Sequence, residues 1–418
     1  MTLLDTLQKS DVTTPLKTAP TPVVVTESAF DEDAIPGIVD DIFGKAIERH
    51  ASDIHFKPKE GAIEVFFRVD GVMIPYRVFP KIFNHPIIAR IKILSGLKID
   101  EHRLPQDGKS NFKDGGGKEV DLRVSILPTQ FGEKVVIRIL EKNPKMVRLR
   151  DLGMLPSGLL KIEKHLQATY GMILAVGPTG SGKSTSLFSM ISTFNAKEFN
   201  ISTLEDPIEY SITDVTQTQI HPDIGFDFSD GLRTLVRQDP DIIMVGEIRD
   251  QKTASLAIES ALTGHLVFST LHTNTAIGTI QRLLNMGIDR FLITAAIKLI
   301  ISQRLARKIC PHCRESYPIP PRFHTLLKGE IGIDPQNSFF YHSPGCDRCD
   351  HTGYSGRIGF FEVLEMSPAI EDLIINNASN LEIEKQAMKE GLVPIRKDAL
   401  YKAVTGDVTI EEAIRVMT

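Results

Sequence analysis

The sequence predicts an α/β protein: a mostly parallel sheet covered by helices on both faces, preceded by a smaller α/β lobe. Three observations carry this. From residue 153 onward, short apolar runs ("MILAV", "NISTLE", "DIIMV", "LVFSTL") alternate with helix-forming stretches, as parallel strands buried on both faces do. Between 34 and 142, strand-like and helical runs make a lobe of their own. The first strand of the parallel part runs into a glycine-rich turn that opens a helix, "LAVGPTGSGKST", Leu174 to Thr185.

Taken in order, residues 1–33 include "TTPLKTAPTPVVVTES", rich in Thr and Pro without a usable period, and read as a flexible lead-in. Ile35, Ile38, Val39, Ile42, Ala46 and Ile47 then recur at helical spacing behind the acidic "DED", whose charges suit a helix N-terminus. "IEVFFRVDG" followed by "VMIPYRVF" is a hairpin signal centred on Asp-Gly. "EVDLRVSILPT" and "EKVVIRIL" add two strands, with a helix near "PIIARIKILSGLK", so 34–142 forms the front lobe. Residues 143–152, charged and containing Pro, are the expected linker. The parallel-sheet core then spans 153–309, a cysteine-bearing module 310–360, and short helices 361–418.

The 418 residues allow two or three domains. A net charge of −5 argues against a protein that coats nucleic acid, and no stable nucleic-acid partner is expected. No run of 18 apolar residues occurs. The nearest, Phe291 to Ile301, is interrupted by Lys298 and reads as a core helix. The N-terminus lacks a secretory pattern, so the chain is expected in the cytoplasm, touching a membrane only peripherally or through partners.

Gly177, Pro178, Thr179, Gly180, Ser181, Gly182, Lys183, Ser184 and Thr185 fit a phosphate loop. Its glycines let backbone N–H groups wrap phosphates, Lys183 offers charge to the β/γ oxygens, and the Ser184 hydroxyl suits Mg²⁺. ATP and Mg²⁺ are therefore the expected ligands. In "QDPDIIMVGEIRD" a buried strand delivers Glu247 to the sheet's carboxyl edge, where it can polarise an attacking water. Gly246 stands where many such ATPases have a metal-binding Asp, which turns attention to Glu205, Asp206 and Glu209 in "STLEDPIEY". His265 and His272 flank the strand in "GHLVFSTLHTN", where a histidine could sense the γ-phosphate or be structural.

The chain's four cysteines form two C-x-x-C pairs, Cys310/Cys313 and Cys346/Cys349, separated by 32 residues. Two such knuckles complete a tetrahedron around Zn²⁺, a reading favoured over disulfides or redox work. His312 and His351 lie beside them, but four thiolates already saturate zinc.

With these motifs in this order, residues 34 to 418 resemble the secretion-traffic ATPases, the hexameric motors of type II secretion and type IV pilus assembly. The resemblance implies a RecA-like P-loop ATPase core and a PAS-like front lobe. It makes Glu247 the catalytic glutamate, gives Glu205 a part in holding the metal-bound nucleotide, and raises His272 to a functional residue. It also implies that arginines of the front lobe reach the nucleotide: Arg123 in "DLRVS", Arg138 in "VVIRIL" and Arg103 in "EHRLPQDG". The cysteine module belongs to the secretion and pilus-extension branch. The implied partners are five further copies in a homohexamer, a polytopic inner-membrane platform protein and a peripheral docking protein. Relatives commonly carry a longer N-terminal docking domain, so docking here is expected through a short peptide or other surfaces. The rival is a nucleic-acid-translocating or DNA-uptake ATPase with a zinc ribbon, supported by the basic "RLARK" at 304–308.

Overall fold

A computed structural model of the chain describes residues 22–141, 146–209 and 211–417. They divide into two compact units: residues up to 141 with 344–355, and 146–343 with the residues from 356 on. Most of the segment 1–33, and the start of the candidate linker, lie outside the described residues.

The front unit contains β1 (Val23–Val24), α1 (Ile35–Glu48), β2 (Asp53–Pro58), β3 (Ala62–Val69), β4 (Val72–Pro80), α2 (Asn84–Leu94), β5 (Gln106–Lys113), β6 (Glu119–Thr129) and β7 (Gly132–Glu141). The strands form one sheet in the order β1-β4-β3-β2-β7-β6-β5, antiparallel except where β1 runs parallel to β4. The expected hairpin joins β3 to β4. Asp70 (φ 49°) and Gly71 (φ 83°) give the two left-handed residues that a tight, correctly twisted two-residue turn needs. Period-two alternation puts Ile54, Phe56, Val65, Phe67, Val124 and Ile137 on one face, where α1 and α2 bury Ile42, Phe43, Ile87 and Ile91. Residues 22–30 are tied to this unit: Val25 N–H donates to Val78 O at 2.9 Å, and Phe30 packs edge-on against Phe83.

The larger unit contains α3 (Pro156–His165), β8 (Gly171–Val176), α4 (Lys183–Ile191), β9 (Ile201–Glu205), β10 (Thr216–Gln219), α5 (Phe228–Leu235), β11 (Ile242–Val245), α6 (Gln251–Leu262), β12 (Leu266–Leu271), α7 (Ala276–Asn285), α8 (Arg290–Ala296) and β13 (Ile297–Ile309). Then come β14 (Glu315–Pro318), α9 (His324–Glu330), β15 (Phe339–His342), β16 (Tyr354–Glu365) and the helices α10 (Pro368–Ile375), α11 (Asn380–Lys389), α12 (Ile395–Thr405) and α13 (Ile410–Met417). The main sheet has the order β10-β9-β11-β12-β8-β13-β16, and its first six strands are parallel. Successive residues of the apolar strands serve two cores: Ile173 and Ala175 join Phe188 and Phe268 on one face, Met172 and Leu174 join Ile258 and Ile280 on the other.

Phe291 to Ile301 is not one core helix. The helix α8 ends at Ala296, and Ile297 begins β13, whose Leu299, Ile300 and Ile301 are fully buried beside β8. Isoleucine-rich sequence fits a pleated central strand better than a helix, and a position between strands decides the matter. Among the described residues no helix is long and apolar enough to cross a membrane.

Candidate functional site

Because β8, β9, β11 and β12 run parallel and nearly in register, their carboxyl ends meet on one edge. Val176 pairs with Leu271, and Val245 pairs with both Ser269 and Leu204. The residues just beyond these ends are the loop from Gly177, then Glu205 and Asp206, Gly246 and Glu247, and His272. Ligands of open α/β sheets bind at such an edge.

The loop 177–182 adopts the conformation its glycines permit. Gly177, Gly180 and Gly182 have φ of 148°, 77° and 87°, and Gly182 caps α4. Lys183, only 8% exposed, donates from Nζ to the Gly177 carbonyl at 2.9 Å and the Pro178 carbonyl at 3.1 Å. Burial lowers its pKa, partly offset by the charges of Glu247 and Glu209. The ammonium thus holds the loop closed on its own carbonyls and faces carboxylates, a setting that an incoming polyphosphate improves. Ser184 and Thr185 follow in the first turn of α4, half-buried at its N-terminus.

Glu247 is placed by a close passage of backbone. Gly246 N–H donates to Leu204 O at 2.8 Å, and a Cβ at Gly246 would lie 3.1 Å from that oxygen. A side chain at 246 would therefore need the Leu204 carbonyl to give by a few tenths of an ångström. The Glu247 carboxylate is gripped on both oxygens: Arg249 Nη2 donates to Oε1, and His272 Nε2 lies 3.1 Å from Oε2. Burial alone would push this carboxyl up, but Arg249 and His272 outweigh it and hold it below the usual range. Arg249 also reaches Asp206 at 3.4 Å. His265 sits at the other end of β12, its Nδ1 2.8 Å from Ser260 O, so β12 separates it from the edge. Its place is structural.

Glu205 is buried at the end of β9, and burial raises its pKa. Its Oε1 accepts from Thr203 Oγ1 at 2.6 Å and Gln217 Nε2 at 2.9 Å. A divalent cation nearby would favour the charged form that burial disfavours.

In the front unit, cross-strand register lines up Arg68, Asp53, Arg138, Arg123 and Lys109 in one row across β3, β2, β7, β6 and β5, on the face away from its helices. Two of these cations share one carboxylate: Asp53 lies 3.5 Å from Arg68 Nε and 3.3 Å from Arg138 Nε. Arg103 lies in a turn whose N–H groups at 103 and 104 donate to Glu101 Oε1.

The sulfurs of Cys310, Cys313, Cys346 and Cys349 all lie within 4.8 Å of one another. Cys346 Sγ and Cys349 Sγ are 3.8 Å apart, the edge length of a tetrahedron with metal–sulfur bonds of about 2.3 Å. The N–H groups of Cys346 and Gly353 point at Cys349 Sγ (3.2 and 3.3 Å), which favours a thiolate. The donor set is compatible with Zn²⁺. His351 pairs instead with Asp347 at 3.1 Å.

Four polar residues escaped the sequence reading: Arg249, Thr203, Gln217 and Gln303. Arg249 carried a signal, a cation two positions from Glu247. Gln303 carried a weaker one, an amide two positions beyond the apolar run Leu299 to Ile301 of β13. The basic "RLARK" also reads differently in the fold, since Arg307 is buried and pairs with Glu412 at 2.9 Å.

The family described as "Type II/IV secretion system protein" has a sequence model that matches residues 28–415. Similar curated proteins include the type IV pilus assembly ATPase PilB of Myxococcus xanthus, 44% identical over 387 residues, 92% of this chain and 68% of that protein. The type II secretion system protein E of Aeromonas hydrophila is 41% identical over 392 residues, 93% and 76% of the two chains. Among solved structures, the pilus retraction motor PilT with bound ADP is 28% identical with a TM-score of 0.59, covering 90% of this chain and 96% of that one. The Legionella pneumophila ATPase DotB, at 22% identity and a TM-score of 0.66 over 91% and 95% of the chains, shares the fold. The motifs on the sheet edge and the match along nearly the whole chain agree: this protein belongs to the type II/IV secretion system protein family.

Proposed function

We propose that the chain is a Mg²⁺-dependent ATPase motor that drives type IV pilus assembly or type II protein secretion. The observation that carries the reading is the single sheet edge on which a phosphate loop, Glu205, Glu247 and His272 converge. Lys183 and the N–H groups of 177–185 bind the phosphates of ATP, and Ser184 with Glu205 would hold Mg²⁺, which screens phosphate charge. Glu247 orients and deprotonates the attacking water once Arg249 yields it. His272, already on the Glu247 carboxylate, responds to the γ-phosphate. Arg123 and Arg138, in a row too rich in cations to be internally neutralised, stabilise the charge that develops on the transferred phosphoryl group. Six copies in a ring would pass successive strokes to a polytopic platform protein of the inner membrane, with the motor on its cytoplasmic side and zinc stiffening the cysteine module.

The test is turnover. The wild type should hydrolyse ATP, Glu247→Gln should bind ATP without turning it over, and Arg123→Ala should keep binding while hydrolysis falls by about 10³-fold or more. Normal turnover in Glu247→Gln would remove the catalytic assignment. The nucleic-acid rival loses part of its support, because the charge of Arg307, one of the three cations in 304–308, is spent on Glu412. DNA that stimulated the ATPase many-fold would restore it.

A further inference from the structure

The main sheet supports the phosphate loop with a residue that the reading above does not use. Ser302 of β13 pairs with Val176, so Gln303 falls beside Gly177. The Gln303 side chain is 1% exposed, and its Nε2 donates to the Ser181 carbonyl at 2.6 Å. Its Oε1 and the neighbouring Ser181 Oγ are both buried without a hydrogen-bond partner. The loop is also pressed onto this strand. A Cβ at Gly177 would lie 2.4 Å from the Gln303 carbonyl oxygen, and one at Gly182 would lie 3.0 Å from Nε2.

Two of the loop's carbonyls, those of Gly177 and Pro178, accept from Lys183. When a phosphate takes the ammonium, both oxygens lose that donor, and the loop needs another anchor to keep its N–H groups aimed at the ligand. Gln303 is that anchor: it holds the carbonyl of Ser181 from behind, and its amide keeps an unused acceptor and a second N–H. An apolar residue would fill the same buried space without doing so.

We propose that Gln303 is a positioning residue that fixes the phosphate loop for the di- or triphosphate of a bound nucleotide. The inference rests on the reading that 177–185 binds nucleotide. The test uses the full chain and titrates ADP alone. Gln303→Met keeps the side-chain volume and removes the donor. Gln303→Asn keeps an amide but withdraws it from Ser181 by one methylene. Both should bind ADP roughly tenfold more weakly, the loss of about one buried hydrogen bond. The KM for ATP should rise in step while kcat stays within about threefold, and the melting temperature without nucleotide should stay near wild type. A folded variant of either kind that binds ADP like wild type overturns the inference, as does a collapse of kcat at unchanged KM. Should Gln303→Met fail to fold, Gln303→Asn decides. A wild type that binds no ADP removes the nucleotide reading itself, whereas a binding wild type with unaffected variants removes only the role of Gln303.

Discussion

Glu412 ties α13 to β13 through a buried charge cluster. Its carboxylate lies on α13, fully buried, and accepts from Arg307 N (2.8 Å), Arg307 Nη2 (2.9 Å), Arg415 Nε (2.8 Å) and Arg415 Nη2 (2.5 Å). Burial alone would raise its pKa, but Arg415 and Arg307 together bring it from 4.5 down to about 2. A carboxylate depressed in the folded state stabilises that state above its unfolded pKa and loses the contribution as pH falls through the folded value. The shift corresponds to about 3 kcal/mol, present at neutral pH and lost between about pH 4.5 and 2. Glu412→Gln keeps the shape but removes the buried charge that Arg307 and Arg415 grip, and breaking a buried pair costs about 3–5 kcal/mol. Chemical denaturation at pH 7 and at steps down to pH 3 measures both effects. The variant should be much less stable at pH 7 and should lose less stability on acidification than wild type. Equal stability at pH 7, or parallel acid curves, would show that the cluster does not anchor α13 to β13.

Three further outcomes concern the edge and the cysteine cluster. Arg249→Ala removes the cation that holds the Glu247 carboxyl down while burial remains, so the acidic limb of the pH dependence of kcat/KM should move to higher pH. An unmoved limb would separate Arg249 from catalysis. Gly177→Ala combines a positive φ with a Cβ 2.4 Å from the Gln303 carbonyl, and the strain, about 1–3 kcal/mol or more, should weaken ADP binding at least fivefold in a titration. Chelation, or Cys346→Ser, should lower the melting temperature and release zinc measurable by a colorimetric dye. A chelated protein that melts unchanged counts against a structural metal.

What could be read in advance follows a physical division. The phosphate loop was legible because its glycines answer to backbone conformation and its Lys and Ser to phosphate chemistry, both local. Strands β8, β9, β11 and β12 were legible because burial on both faces leaves continuous apolar runs. Polar β5 escaped: at the sheet edge its side chains alternate half-buried and exposed, without an apolar pattern to mark a strand. The α8–β13 junction escaped for the opposite reason, since apolar residues alone do not distinguish a buried helix from a central strand.

The polar residues behind the site were hidden by distance along the chain. Gln303 supports Ser181 from 122 positions away, and Arg307 meets Glu412 from 105. No local spacing encodes such a pair; only the sheet order, which sets β13 beside β8, brings the first together. The same order gives β13 a wider role. One strand supports the phosphate loop at Gln303, is clamped to α13 at Arg307, and ends at Ile309 immediately before Cys310. A change in the loop on nucleotide binding therefore acts on a strand whose far end leads into the cysteine cluster. If β13 moves as one element, Glu412→Gln should alter ADP affinity as well as stability, since it loosens the strand that steadies Gln303. An unchanged ADP affinity in a folded Glu412→Gln protein would confine Gln303's influence to the loop itself.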